Sequence, residues 1–196
     1  IAVDLLDDDY LIGVELTTGQ SDIVLVSDAG KAVWFDEEDV RPMGRGARGV
    51  RGMMLEEGQS VIAMLVAEDE SQSVLTATEN GYGKRTPLPD YPRKGRGTQG
   101  VIGIQTTERN GKLVSAVLMG PRDEVLLISD GGTLVRTPAG DIAQVGRNTQ
   151  GVTLIKLAKD ETLVGLERVQ EPTPVEEDEL VEGEEGAEVA ESAEAP

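Results

Sequence analysis

Ser27-Asp28-Ala29-Gly30-Lys31-Ala32-Val33, Thr78-Glu79-Asn80-Gly81-Tyr82-Gly83-Lys84 and Ser129-Asp130-Gly131-Gly132-Thr133-Leu134-Val135 are three copies of one turn, each 51 residues after the last. A second element keeps the same spacing: Gly44-Arg45-Gly46-Ala47-Arg48-Gly49-Val50, Gly95-Arg96-Gly97-Thr98-Gln99-Gly100-Val101 and Gly146-Arg147-Asn148-Thr149-Gln150-Gly151-Val152. An aspartate precedes each copy at one fixed distance, as Asp39, Asp90 and Asp141. Self-similarity at a fixed period marks an array of like structural units. Outward from the last turn the chain reads as short β-branched or alternating runs, 113–118, 124–129, 133–137 and 151–157, with 162–167 as the opening strand of a fourth unit. Asp-Gly and Asn-Gly between such runs are hairpin signals, because these residues tolerate the positive φ of a tight turn. No twelve-residue window has helical apolar spacing, so the expected fold class is all-β. Four strands in about fifty residues point to propeller-like blades.

Three units fall short of the roughly four to eight blades of a closed ring. Residues 1–5 occupy the place that Met53-Met54 and Ile104 take later, so the chain is expected to begin inside its own domain, cut from something longer. There is no run of 18 apolar residues and no leader-like start, which reads as a soluble, cytoplasmic protein without a membrane partner. With no Cys and no His, disulfides, cysteine nucleophiles and histidine bases are excluded.

The net charge of −19 is unevenly placed. Residues 171–196 hold eleven acids and no Lys or Arg, too little apolar surface to offset ordering, and are expected to be a disordered acidic tail. The expected ordered part, 1–170, holds 26 acids and 18 bases. There the signs alternate in blocks: 1–39 has eleven acids against Lys31, 40–55 has Arg41, Arg45, Arg48 and Arg51 with no acid, 56–83 has six acids and no base, and 84–96 has Lys84, Arg85, Arg93, Lys94 and Arg96 against Asp90.

Two copies of the Gly-rich element satisfy G-x-G-x-x-G, but a strand follows where a dinucleotide site needs a helix, and the third copy has Asn148 at the second glycine. Nucleotide binding is therefore not the reading. One alternative is purely structural, with glycines at positive φ where blades meet. It leaves Arg45, Arg96 and Arg147 recurring at one place without explanation, whereas a Gly-Arg loop offers guanidiniums and free N–H groups together, a combination suited to phosphate.

Asn80-Gly81-Tyr82-Gly83-Lys84-Arg85-Thr86 with Tyr91-Pro92, and Gly132-Thr133-Leu134-Val135-Arg136-Thr137 followed by Val145-Gly146-Arg147-Asn148-Thr149-Gln150-Gly151-Val152, resemble the C-terminal domain of the DNA gyrase A subunit over nearly all of 1–170. The acidic tail is similar to tails in that family. The resemblance implies a β-pinwheel whose neighbouring blades exchange a strand, with double-stranded DNA wrapped round its outer rim to give negative supercoiling. It also implies association with the rest of the A subunit and with the B subunit as an A2B2 assembly in the bacterial cytoplasm, ATP and Mg being used by other domains. The family's Gln-Arg-Arg-Gly-Gly-Lys-Gly box and its tyrosine-bearing cleavage domain are absent from this sequence. It is therefore expected to be a non-catalytic part of an enzyme, without a cofactor of its own.

The residues expected to bind DNA are Arg41, Arg45, Arg48, Arg51, Lys84, Arg85, Arg93, Lys94, Arg96, Arg136 and Arg147. Few aromatic residues are present to stack unpaired bases, which argues against single-strand binding. The tail is expected to compete for the basic rim. Alternatives are the related component of topoisomerase IV, which guides DNA segments, and a propeller used as a protein-interaction platform. Asp7-Asp8-Asp9 reads as a solvated turn, Trp34-Phe35 as packing at a blade edge, and Met53, Met54 and Met64 as core filling. Tyr82 and Tyr91 have no base or metal beside them in sequence.

Overall fold

The computed structural model describes residues 3–67 and 69–170; the expected acidic tail, 171–196, lies outside the described residues. Eleven strands follow in order: β1 (Asp22–Ser27), β2 (Lys31–Asp36), β3 (Val61–Ala67), β4 (Ser73–Thr78), β5 (Tyr82–Pro87), β6 (Val101–Ile102), β7 (Leu113–Met119), β8 (Glu124–Ser129), β9 (Leu134–Pro138), β10 (Val152–Thr153) and β11 (Leu163–Val169). They form three sheets, ordered β3-β1-β2-β6, β10-β5-β4-β7 and β11-β8-β9. The helical content among the described residues is three single 3-10 turns, Glu37–Asp39, Leu88–Asp90 and Ala139–Asp141, at the same 51-residue spacing.

The sheets correct one part of the sequence reading, the assignment of strands to units. Each sheet is centred on a hairpin, β1–β2, β4–β5 or β8–β9, whose turn is one of the three repeated motifs. The next long strand after each hairpin, β3, β7 or β11, returns beside the hairpin's first strand. Residues 162–167, read as the opening of a fourth unit, are thus the inner strand of the third sheet. The outer strands β6 and β10 pair with β2 and β5, the hairpins of the preceding sheet. Each of these spans only two residues, so the exchange between blades is short, and the longer run read over 151–157 is mostly not strand.

Alternating side chains on β1 and β4 serve two different cores, as the period-two pattern allows. Val24 and Val26 of β1 join Trp34, Leu65, Val74 and Leu118 between the first and second sheets. Leu75 and Ala77 of β4 join Val125, Leu127 and Leu163 between the second and third. Strand β4 is therefore buried along its whole length, because its sheet is covered on both faces. Each such Val or Leu contributes about 1.5–3 kcal/mol of burial. Trp34 and Phe35 are buried as expected, and so is Met53; Met54, read as core, is exposed.

The acids of the repeated turns tie each hairpin to its inner strand. Asp28 Oδ1 accepts from the Ser60 amide at 3.0 Å, Glu79 Oε1 from Lys112 at 2.9 Å and Asp130 Oδ1 from Thr162 at 2.8 Å. This is local anchoring of a backbone donor by a short acidic side chain. Asp7, Asp8 and Asp9 lie in an exposed turn closed by the Asp9 amide on the Leu6 carbonyl.

Candidate nucleic-acid interface

Strand β7 packs on both β3 and β11, so the first, second and third sheets meet along their inner strands. The opposite, outer edge is built by the segments that carry the Gly-Arg loops. Residues 93–102 run along β2: Lys94 donates its amide to the Trp34 carbonyl at one end, and β6 pairs with Lys31 and Ala32 at the other. Residues 144–153 run along β5 in the same way, with Val145 donating to the Arg85 carbonyl and β10 pairing with Tyr82 and Gly83. Residues 42–51 are the register equivalent in the first unit. We refer to the three as outer ribbons.

The ribbons contain no Asp or Glu, and hold Arg45, Arg48 and Arg51 in the first, Arg93, Lys94 and Arg96 in the second, and Arg147 in the third. They follow one another directly. The Met54 amide, just beyond the first ribbon, donates to Thr98 in the second at 2.8 Å, and Gln105 donates to Thr149 in the third at 2.9 Å. The basic stretches thus lie on one continuous outer edge.

The expected DNA-binding residues differ in what their charges do there. Arg41, Arg45, Arg51 and Lys94 are exposed and have no side-chain ion pair or hydrogen bond among the described residues. Arg48 meets Asp4 at 3.0 Å, Arg136 pairs with Glu124, and Arg93 sits between Asp22 and Asp36 at 2.5 and 2.7 Å. All three remain about half exposed or more, but their charge is partly neutralised.

Lys84 and Arg85, both expected to bind DNA, are tied to backbone carbonyls. Lys84 is completely buried, and its Nζ donates to the carbonyls of Gly146, at 2.6 Å, and Arg147. Desolvation first, and then the Arg147 charge, push its pKa down to about 8, with Asp90 opposing. The Arg85 guanidinium donates through Nε to the Ile142 carbonyl at 3.1 Å. The neighbouring Thr86 hydroxyl donates to Val145 at 3.0 Å, so Lys84 and Thr86 hold the third ribbon while Arg85 holds the residue that ends the 3-10 turn before it. The positions equivalent to Lys84 in the other units are Val33 and Val135. Its charge block therefore looked like surface in sequence, although the position is an inner one.

Arg96 and Arg147 make the same pair of bonds one repeat apart. Arg96 Nε donates to the Asp39 carbonyl at 2.7 Å and Nη1 to the Arg51 carbonyl at 3.1 Å. Arg147 Nε donates to Asp90 at 2.6 Å and Nη1 to Ile102 at 3.0 Å. This explains the fixed distance between the aspartates and the loops, since the aspartate backbone closes the 3-10 turn on which the guanidinium rests. Arg45 makes no such bond among the described residues.

One cation that sequence reasoning passed over belongs to the third ribbon. Arg109 lies 4.6 Å over the Tyr82 ring and reaches Gln150 Oε1 at 3.4 Å. Its repeat equivalents are Gly58 and Asp160, so the periodicity carried no signal for it. Tyr91 is buried against Gly103, and burial pushes its hydroxyl pKa up to about 12, which suits a packing residue and not a nucleophile.

Comparison with known proteins agrees with this architecture. Residues 21–68, 72–118 and 123–170 each match the family described as DNA gyrase C-terminal domain, beta-propeller, and each match spans one hairpin with its inner strand. The chain is 56% identical over 195 residues to the DNA gyrase A protein of Pseudomonas aeruginosa, covering 99% of this chain and 21% of that protein. It is 50% identical over 183 residues to the Escherichia coli K12 counterpart, covering 93% of this chain and again 21% of the relative. It thus spans about a fifth of the length of these relatives. A solved gyrase A C-terminal domain superposes with a TM-score of 0.80 at 30% identity, covering 86% of this chain and 57% of the other. The C-terminal domain of DNA topoisomerase IV superposes with 0.82 at 26% identity, covering 86% and 53%. Three copies of the family signature on three sheets that exchange outer strands show that this chain belongs to the DNA gyrase A C-terminal domain family.

Proposed function

We propose that this chain is a duplex-DNA wrapping surface of a gyrase A protein, and that it acts within an ATP-driven topoisomerase through partner domains that supply cleavage and nucleotide hydrolysis. Those partners are the rest of the A subunit and the B subunit, assembled as A2B2 in the bacterial cytoplasm. The observation that carries the reading is the outer edge: three acid-free ribbons in direct succession, with Arg45, Arg51 and Lys94 exposed and unpaired among the described residues along the first two. Bending DNA round a small body works against its persistence length of about 50 nm and costs several kcal/mol, which phosphate contacts spread along an arc offset. No base readout is needed, since phosphate contacts position the duplex without sequence information.

The ribbons are unequal, which refines the proposal. The first two carry most of the cations and the third holds Arg147 with Arg109 beside it, so DNA is gripped most firmly over the first two. The test is duplex binding as a function of salt. Replacing Arg45, Arg51 and Lys94 by Ala lowers the magnitude of the salt slope by up to roughly three times 0.9, and equally for unrelated sequences. An unchanged slope refutes the assignment of the outer edge.

A further inference from the structure

We propose that Arg96 and Arg147 are positioning residues that set the curvature of the DNA track, by stapling each ribbon to the one before it. The inference rests on the wrapping reading above and goes beyond it, because it moves these two arginines from phosphate contact to geometry.

In both arginines the same two atoms, Nε and Nη1, are used on the same two backbone positions, 51 residues apart. One acceptor is the last residue of the preceding 3-10 turn, Asp39 or Asp90. The other is Arg51 or Ile102, at the end of the preceding ribbon. A single rigid guanidinium thereby fixes the distance between a hairpin's exit and the ribbon next to it. The backbone bonds Met54 to Thr98 and Gln105 to Thr149 lie beside the staples and are held in register by them.

The chemistry explains why arginine is needed. The guanidinium is planar and presents its donors as a fork, whereas a lysine ammonium is a point charge on a flexible stem. Lysine keeps the charge but not the two-pronged geometry.

The test uses the full-length protein carrying this chain, with Arg96→Lys and Arg147→Lys made singly and together. Three quantities are read: the salt slope of duplex binding, the linking-number change retained when a nicked circle is sealed on the protein, and hydrogen exchange at Met54 and Gln105. The double variant is expected to keep the slope within one phosphate contact and lose at least half of the linking-number change. Exchange at Met54 should rise on the order of tenfold in Arg96→Lys, and at Gln105 in Arg147→Lys. A double variant that wraps DNA like the parent overturns the proposal, as does one whose slope falls together with its wrapping, since the arginines are then phosphate contacts. If the unaltered protein shows no salt-dependent duplex binding, the wrapping reading fails by itself, and the exchange rates still decide whether the staples exist. Should the double variant fold poorly, the single variants give the same readings one seam at a time.

Discussion

Gly100 and Gly49 stand one repeat apart, both at positive φ, 73° and 80°, yet they face different surroundings. A Cβ at Gly100 would lie 2.4 Å from the Ala32 carbonyl oxygen and 2.9 Å from its carbon, because β6 is laid directly against β2 there. A Cβ at Gly49 would meet nothing within 4 Å among the described residues. Gly49→Ala therefore carries only the left-handed backbone penalty, about 1–2 kcal/mol. Gly100→Ala adds to that penalty an overpacking cost against immobile backbone, typically about 1–3 kcal/mol. The difference between the two variants isolates the steric cost of strand exchange between sheets. Urea titration by circular dichroism measures it: with equal slopes, Gly100→Ala should be less stable than Gly49→Ala by about 1–3 kcal/mol. Equal stabilities would mean that the outer strand does not press on the hairpin as described, and the ribbon geometry would have to be abandoned. Gly151→Ala should behave like Gly100→Ala, its Cβ meeting the Gly83 carbonyl oxygen at 2.6 Å.

Lys84 gives stability a pH dependence. Its pKa is about 8 in the fold against an ordinary 10.5, so between these values the unfolded chain binds the extra proton and stability rises with pH. The gain is about 2 kcal/mol from pH 8 to about 9.5 and is absent in Lys84→Met, as urea midpoints at the two pH values would show; Tyr91 acts in the opposite sense only above about pH 10. Lys84→Met should also leave the salt slope of DNA binding unchanged, and a fall of about 0.9 would put its ammonium on a phosphate after all. Removing residues 171–196 from the full-length protein should raise duplex affinity most at low salt and progressively less toward physiological ionic strength, where the Debye length is about 8 Å. Equal affinities in low-salt titration would leave the acidic tail without a part in binding.

Period and punctuation made the architecture legible before any coordinates. Three turns and three Gly-Arg loops at one spacing, with alternating apolar runs between them, specify repeated β-hairpins, since a turn needing positive φ and a strand with two buried faces both leave a local mark. The acid-free basic stretches around Arg45 and Arg96 were likewise visible, and the structure places them on the outer edge. What the linear pattern did not decide was partnership. Strand β6 belongs by sequence to one unit and by hydrogen bonds to the previous sheet, and strand β11 joins the third hairpin although it reads as the start of a fourth unit. Nor did charge reveal exposure: Lys84 and Lys94 share a basic block, yet one ammonium is buried on the carbonyls of Gly146 and Arg147 while the other is in solvent. Arg96 and Arg147, chosen for their charge, are held by backbone acceptors 45 and 57 residues earlier in the chain. A hydrogen-bond acceptor on the backbone has no residue-type signature, so such contacts exist only once the sheets have stacked.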